Sequence, residues 1–251
     1  RSKPSPVKPT KDAIFASYWP CLNPRVPLYF RTRMQAFQAI AEWVQTEISA
    51  QRRVLLGFDF AFGYPARFAQ SLLGANSVFA VWDWLSGRVT DAADNANNRF
   101  QIAAEVNACL PGVGPFWGRP SHLKIDGLPE KGSLREGHGM AERRLVETIV
   151  PSAHSVWKLF TIGSVGSQVL MGLPYLVQLR AEFGKAISVW PFETPDTPVV
   201  LAEIYPSLPV IGAQDHPGAF VTPDARQVDA TSTYYSDLID RGEIDNALNR
   251  V

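Results

Sequence analysis

The chain has 251 residues, 46% of them hydrophobic, and its 24 basic side chains balance 24 acidic ones. That is enough apolar material for one sizeable core, and the zero net charge excludes a global pull toward nucleic acid while leaving a local basic groove open. No apolar run approaches the ~18 residues of a membrane span, no signal peptide is visible, and two distant cysteines, Cys21 and Cys109, suit a reducing, cytoplasmic setting better than a disulfide scaffold.

The chain opens on Arg1, which reads as a trimmed start or a missing piece. Residues 1–11 are basic and proline-bearing and read as a loop. Residues 12–19 (DAIFASYW) and 26–31 (VPLYFR) are β-favourable runs flanking a turn at 20–27, which predicts a hairpin with a longer-than-minimal loop. Thr32 is an N-cap candidate. Met34, Phe37, Ile40, Ala41, Val44 and Ile48 follow at helical spacing, so residues 32–50 are predicted as an amphipathic helix. Val54–Phe58 (VLLGF) is short and almost wholly apolar, as in a buried parallel strand, and ends in Asp59.

Residues 65–190 are predicted as one mainly helical insertion within a single domain spanning 1–251. Helices are expected at 66–73, 78–85, 93–108, 140–149 and 168–183, with a Gly- and Pro-rich loop at 111–139. Residues 199–205 (VVLAEIY) form a second buried strand, closed by Pro206. Thr222-Pro223-Asp224 reads as a cap, a first-turn proline and a first-turn acid, opening a helix to about residue 240. A last short helix is expected near Glu243. The order predicts an α/β fold in which the two apolar strands pair in parallel at the centre of one sheet, with the hairpin on its antiparallel side.

Ligands of open α/β sheets sit at the carboxyl ends of the strands, where Asp59 and Glu203 fall. With Asp224 at a helix start, these are the candidate catalytic and metal-holding acids. Carboxylates suit Mg²⁺ or Mn²⁺, and such ions serve phosphodiester cleavage. Each acid also has a plainer role: a turn for Asp59, a buried salt bridge for Glu203, a helix cap for Asp224.

Substrate-binding candidates lie in the insertion. Gly163, Ser164, Gly166 and Ser167 (GSVGSQ) precede a helical segment and could hold an anion through backbone N–H groups, or could form a tight packing turn. Lys158 precedes them. Arg99, Arg143 and Arg144 offer guanidinium forks, although an Arg–Glu pair with Glu147 is more often a surface ion pair of little energetic weight. Among Trp82, Trp84, Phe116, Trp117, Trp157, Trp190 and Phe192, most read as core, and Trp117, flanked by glycines, is the best candidate for an exposed stacking ring. His122, His138, His154 and His216 have no metal-ligand spacing. No nucleophile elbow and no dinucleotide fingerprint occur.

The segments GFDFAFGYP (57–65), NNRF (97–100), GPFWGRP (114–120), VWKLFTIGSVGSQ (156–168), WPFET (190–194), AEIYPSL (202–208) and DARQV (224–228) resemble an uncharacterised bacterial family with a ribonuclease H-like fold, over nearly the whole chain. Some members bear labels for molybdopterin-guanine dinucleotide or cobalamin biosynthesis, for which this sequence has no pterin or corrin motif. The resemblance implies a ribonuclease H-like mixed sheet with a long helical insertion. It also implies a first strand bearing Asp-Trp-Ser, whose acid lies ahead of Arg1. Two functions follow from different classes: a metal-dependent phosphodiester hydrolase acting on nucleic acid or a nucleotide, or a non-catalytic domain binding a small ligand or partner. Neither involves a membrane, and the oligomeric state is open.

Overall fold

A computed structural model describes residues 2–11, 13–19, 26–150, 153–208, 211–212, 220 and 222–248. Asp12, the turn residues 20–25 with Cys21, and His216 lie outside the described residues. In chain order the elements are β1 (Ile14–Ala16), β2 (Leu28–Phe30), α1 (Arg33–Ser49), β3 (Val54–Phe58), α2 (Phe68–Leu73), α3 (Val78–Ser86), α4 (Arg99–Ala108), α5 (Leu145–Ile149), α6 (Val165–Phe183), β4 (Ile187–Trp190), β5 (Val199–Glu203), α7 (Pro223–Asp240) and α8 (Ile244–Leu248). Two compact units result. One gathers residues 1–59, 92–96 and 183–251; the other holds 60–91 and 97–182. No helix among the described residues is long and apolar enough to cross a membrane.

In the first unit, β3 and β4 flank β5 in a parallel three-stranded sheet. Val199, Val200, Leu201 and Ala202 of β5 are all buried, as an apolar run without alternation requires. β3 and β5 are adjacent and parallel as predicted. β3, however, is half-buried and at the edge of the described sheet, so β5 alone is central. Gly57 of β3 is fixed by packing: a Cβ there would meet Ile204 Cγ2 at 2.9 Å. Residues 191–198 join β4 to β5, fewer than the dozen usual between parallel neighbours. They suffice because both strands are short, and the link is pinned by Glu193, whose Oε2 accepts from Val189 N at 2.9 Å.

The hairpin forms as predicted, with Ile14 opposite Phe30, but it is a separate two-stranded sheet and not the antiparallel side of the main one. Its strands are three residues each, and they pack on α1 and α7. Helix faces cover this hairpin where the expected mixed sheet would have extended it. α1 starts as predicted, Thr32 Oγ1 accepting from Gln35 N at 3.3 Å. α7 likewise starts at Thr222, whose Oγ1 accepts from Ala225 N at 3.2 Å.

The second unit is mainly helical, and an aromatic cluster lies in its core. Tyr64 stacks on Trp157 at 5.1 Å, and Phe68 and Phe116 meet the same indole edge-on. Trp82, Phe116 and Trp157 are fully buried. The loop at 111–139 is ordered by Asn107 of α4, whose side chain pairs with Phe116 N, Phe116 O and Gly127 O. The predicted helices at 93–108 and 140–149 start later, at Arg99 and Leu145. Residues 92–96 instead close a turn, Ala92 N donating to Ala96 O at 2.8 Å.

Candidate active site

The three acids belong to the first unit and come from three elements. Glu203 is the last residue of β5 and lies opposite Phe58. Ile204 N donates to Phe58 O at 3.0 Å, so the ladder continues to the point where Asp59 leaves β3. Asp224 occupies the first turn of α7, where the helix dipole favours a carboxylate. Glu203 and Asp224 are half-buried, and Asp59 is exposed.

Asp59 responds to both neighbours. Its carboxyl is pushed up to about 6, first by the surrounding protein and then by the negative charges of Glu203 and Asp224. The water at its surface screens that repulsion in part. Asp59, just past a strand end, therefore senses the carboxylates of a second strand end and of a helix start. Among the described residues, no three His, Cys, Asp or Glu side chains are gathered closely enough to hold a metal ion as they stand.

Several candidates of the second unit bond to each other. Arg99 is buried over the Phe100 ring and donates to Ser167 Oγ at 2.9 Å and Asn97 Oδ1 at 2.7 Å. Ser167 Oγ donates to Leu159 O at 2.5 Å. Two amides of the Gly-Ser segment are engaged internally: Gly166 N with Lys158 O at 2.9 Å, and Ser167 N with Ser164 O at 3.2 Å. A Cβ on Gly166 would sit 2.5 Å from Val156 O, so this glycine serves close packing. Gly163 has φ +74° beside the His154 ring.

Lys158 Nζ donates to Ile162 O at 2.7 Å and stands 5.4 Å from the Trp117 ring centroid. Arg135 lies over the same indole at 5.3 Å. Trp117 is thus a half-buried ring flanked by cations, where the sequence pointed to an exposed one. Arg143 donates to Glu147 O at 3.1 Å. The ion pair on this segment is buried rather than on the surface: Arg144 Nε meets Glu147 Oε1 at 2.8 Å, and Glu147 is 1% exposed.

Sequence reasoning missed a second charged centre in the first unit. Glu47 of α1 accepts from Arg52 Nε at 2.5 Å, from Arg52 Nη2 at 2.6 Å and from the Tyr18 hydroxyl. Tyr18 stacks on Trp43 at 5.4 Å, which ties the end of the hairpin to α1. No periodic signal marks Tyr18 as the partner of a residue 29 positions away.

Comparison with known protein families, characterised proteins and solved structures finds no match to this chain.

Proposed function

We propose that this chain is a divalent-metal-dependent hydrolase of phosphodiesters, acting on nucleic acid or a nucleotide, built on a ribonuclease H-like fold. The observation that supports the reading is that Asp59 and Glu203 stand at the carboxyl ends of the paired strands β3 and β5, with the charge of Asp224 also acting on Asp59. The donor set suits Mg²⁺ or Mn²⁺ in kind, because carboxylates are hard oxygen ligands, and the three would have to draw together around the ion to hold it. Asp59, Glu203 and Asp224 would hold it. Bound there, such an ion supplies water activation and charge neutralisation at a leaving oxygen.

The chain's own part is positioning. Paired strands fix the separation of Asp59 and Glu203, and the Thr222 cap and α7 dipole hold Asp224. Asp59 needs its charge to hold a cation, so cation affinity should climb as the pH rises through about 6. A cytoplasmic location belongs to the same reading, and Cys109 is a free thiol.

The second reading, a non-catalytic ligand- or partner-binding domain, is favoured by the mutual bonding of Arg99, Ser167, Lys158 and Gly166. One experiment separates the two. The chain is assayed with Mg²⁺ or Mn²⁺ against a chromogenic phosphodiester, nucleotides and labelled nucleic acid, beside Asp59→Asn. The hydrolase reading expects turnover in the parent and a loss of at least about 100-fold in the variant. Equal turnover in both removes Asp59 from the mechanism, and metal-independent ligand binding without turnover moves the chain to the second reading.

A further inference from the structure

Basic side chains are unevenly shared along this neutral chain. The first 41 residues hold seven of the 24 Lys and Arg and a single acid, Asp12. The fold gathers part of that excess in the first unit. Residues 3–6 run beside β2. Ser5 N donates to Arg31 O at 2.8 Å, Arg31 Nε donates to Ser5 O at 2.8 Å, and the Tyr29 hydroxyl donates to Pro6 O at 2.6 Å.

Asn95 fixes the crossing. Its Nδ2 donates to Lys3 O and to Arg31 O, each at 3.2 Å. Its Oδ1 accepts from Arg33 N at 3.0 Å, and its carbonyl accepts from the Arg33 guanidinium at 3.2 Å. Asn95 is 1% exposed, at φ +69°, a left-handed backbone that asparagine tolerates better than most residues. Lys3, Arg31 and Arg33 are thus anchored on one buried amide, while the side chains of Lys3, Lys8, Lys11 and Arg31 belong to exposed residues. Asp94 stands beside the clamp, its carboxylate accepting from Ala96 N at 2.9 Å.

We propose that this basic arm binds the phosphate backbone of a nucleic-acid strand. Pro4, Pro6 and Pro9 each fix φ, and although the chain bends at Lys3, Val7 and Lys8, a fully extended segment would separate Lys3 from Lys8 by about 15 Å at ~3.1 Å per residue, an upper bound. A row of cations suits a linear polyanion, whereas the phosphates of one nucleotide would engage a single member of it. The inference rests on the hydrolase reading only where it makes a polymer, and not a free nucleotide, the substrate class. The binding itself needs neither Asp59 nor a metal. Exposed Val7 and Leu28 in the same region are what an anionic membrane surface would use, so vesicles form the second arm of the test.

The test follows the fluorescence anisotropy of a labelled DNA strand of about 20 nucleotides with the full chain, in chelator, between about 50 and 200 mM salt. Affinity should fall steeply with salt. Lys3→Glu with Lys8→Glu should weaken binding about tenfold or more and flatten the salt slope by about 1.4, near 0.7 for each phosphate that is no longer neutralised. Lys124→Glu with Lys131→Glu, an equal charge change at exposed positions of the other unit, should bind as the parent does. Circular dichroism checks that both variants fold. Three results would overturn the proposal: unchanged binding in the first pair, equal loss in both pairs, or attachment to anionic vesicles with none to the strand. Strand binding without hydrolysis would leave this inference standing and remove the hydrolase reading. Nucleotide hydrolysis without strand binding would do the reverse.

Discussion

Glu47 is covered by its own partners. The residue is 5% exposed, yet the Arg52 side chain that pairs with it is 58% exposed, so the cluster sits at the surface and not in the core. Arg52 above all, with the Tyr18 hydroxyl, holds the Glu47 carboxyl down to about 2 from its usual 4.5. A carboxyl whose folded value is depressed adds stability above its unfolded value and loses that stability as pH falls. Glu47→Gln should therefore lower Tm by about 2–4 °C near neutral pH, with the gap closing between about 4.5 and about 2. Thermal melts across that range check it, and a gap independent of pH would contradict it. Asp59 has the opposite sign. Its folded value is raised, so its ionisation costs stability, and the cost appears as pH climbs from about 3.8 through about 6. Discounted for the water that screens it, the cost is about 1 kcal/mol. Asp59→Asn should raise Tm by about 2–4 °C at neutral pH in chelator and leave it unchanged near pH 4. A variant melting below its parent at neutral pH would show that Asp59 is a structural anchor.

Element by element, the strands most legible in the sequence were those with uninterrupted apolar character. β5 is buried on all but its last residue, and Val54–Phe58 was readable by the same rule even though it lies at the sheet edge. β4 was hidden because the mainly helical insertion predicted over 65–190 assigned no element to residues 184–190. The available signal was Gly184, at φ +53° just past α6, followed by Ile187, Val189 and Trp190. The hairpin was legible from its two β-favourable runs, but those runs carry no information about which element covers them. The same limit applied to the Gly-Ser segment. Its glycines announced a close approach without saying to what, and the neighbour proved to be the backbone at residues 156–158. Gly166→Ala should cost about 1–3 kcal/mol, because its Cβ would press on backbone carbonyls that cannot rotate away. Chemical denaturation measures this, and a loss below about 0.5 kcal/mol, the usual scatter of surface changes, would show that the approach is looser than the geometry requires.

At the scale of the whole molecule, the first unit is assembled from three separated stretches of chain, and the acids come from two of them. Asp59 and Glu203 could be nominated from sequence because each stands at the end of an apolar run. Their proximity was legible only through the topology rule that pairs β3 with a strand about 145 positions later in the chain. The pair formed by Arg99 and Ser167, 68 positions apart on two helices, carried no such rule and was not legible. The central claim is that Asp59, Glu203 and Asp224 act as one cation-attracting site, and Mn²⁺ binding tests it most directly. Titration of the chain with Mn²⁺, followed by electron paramagnetic resonance of the free ion, should find one site that weakens at least about tenfold in each of Asp59→Asn, Glu203→Gln and Asp224→Asn, since each removes a hard oxygen ligand and a negative charge. Binding that is equal in the parent and all three variants would contradict the account.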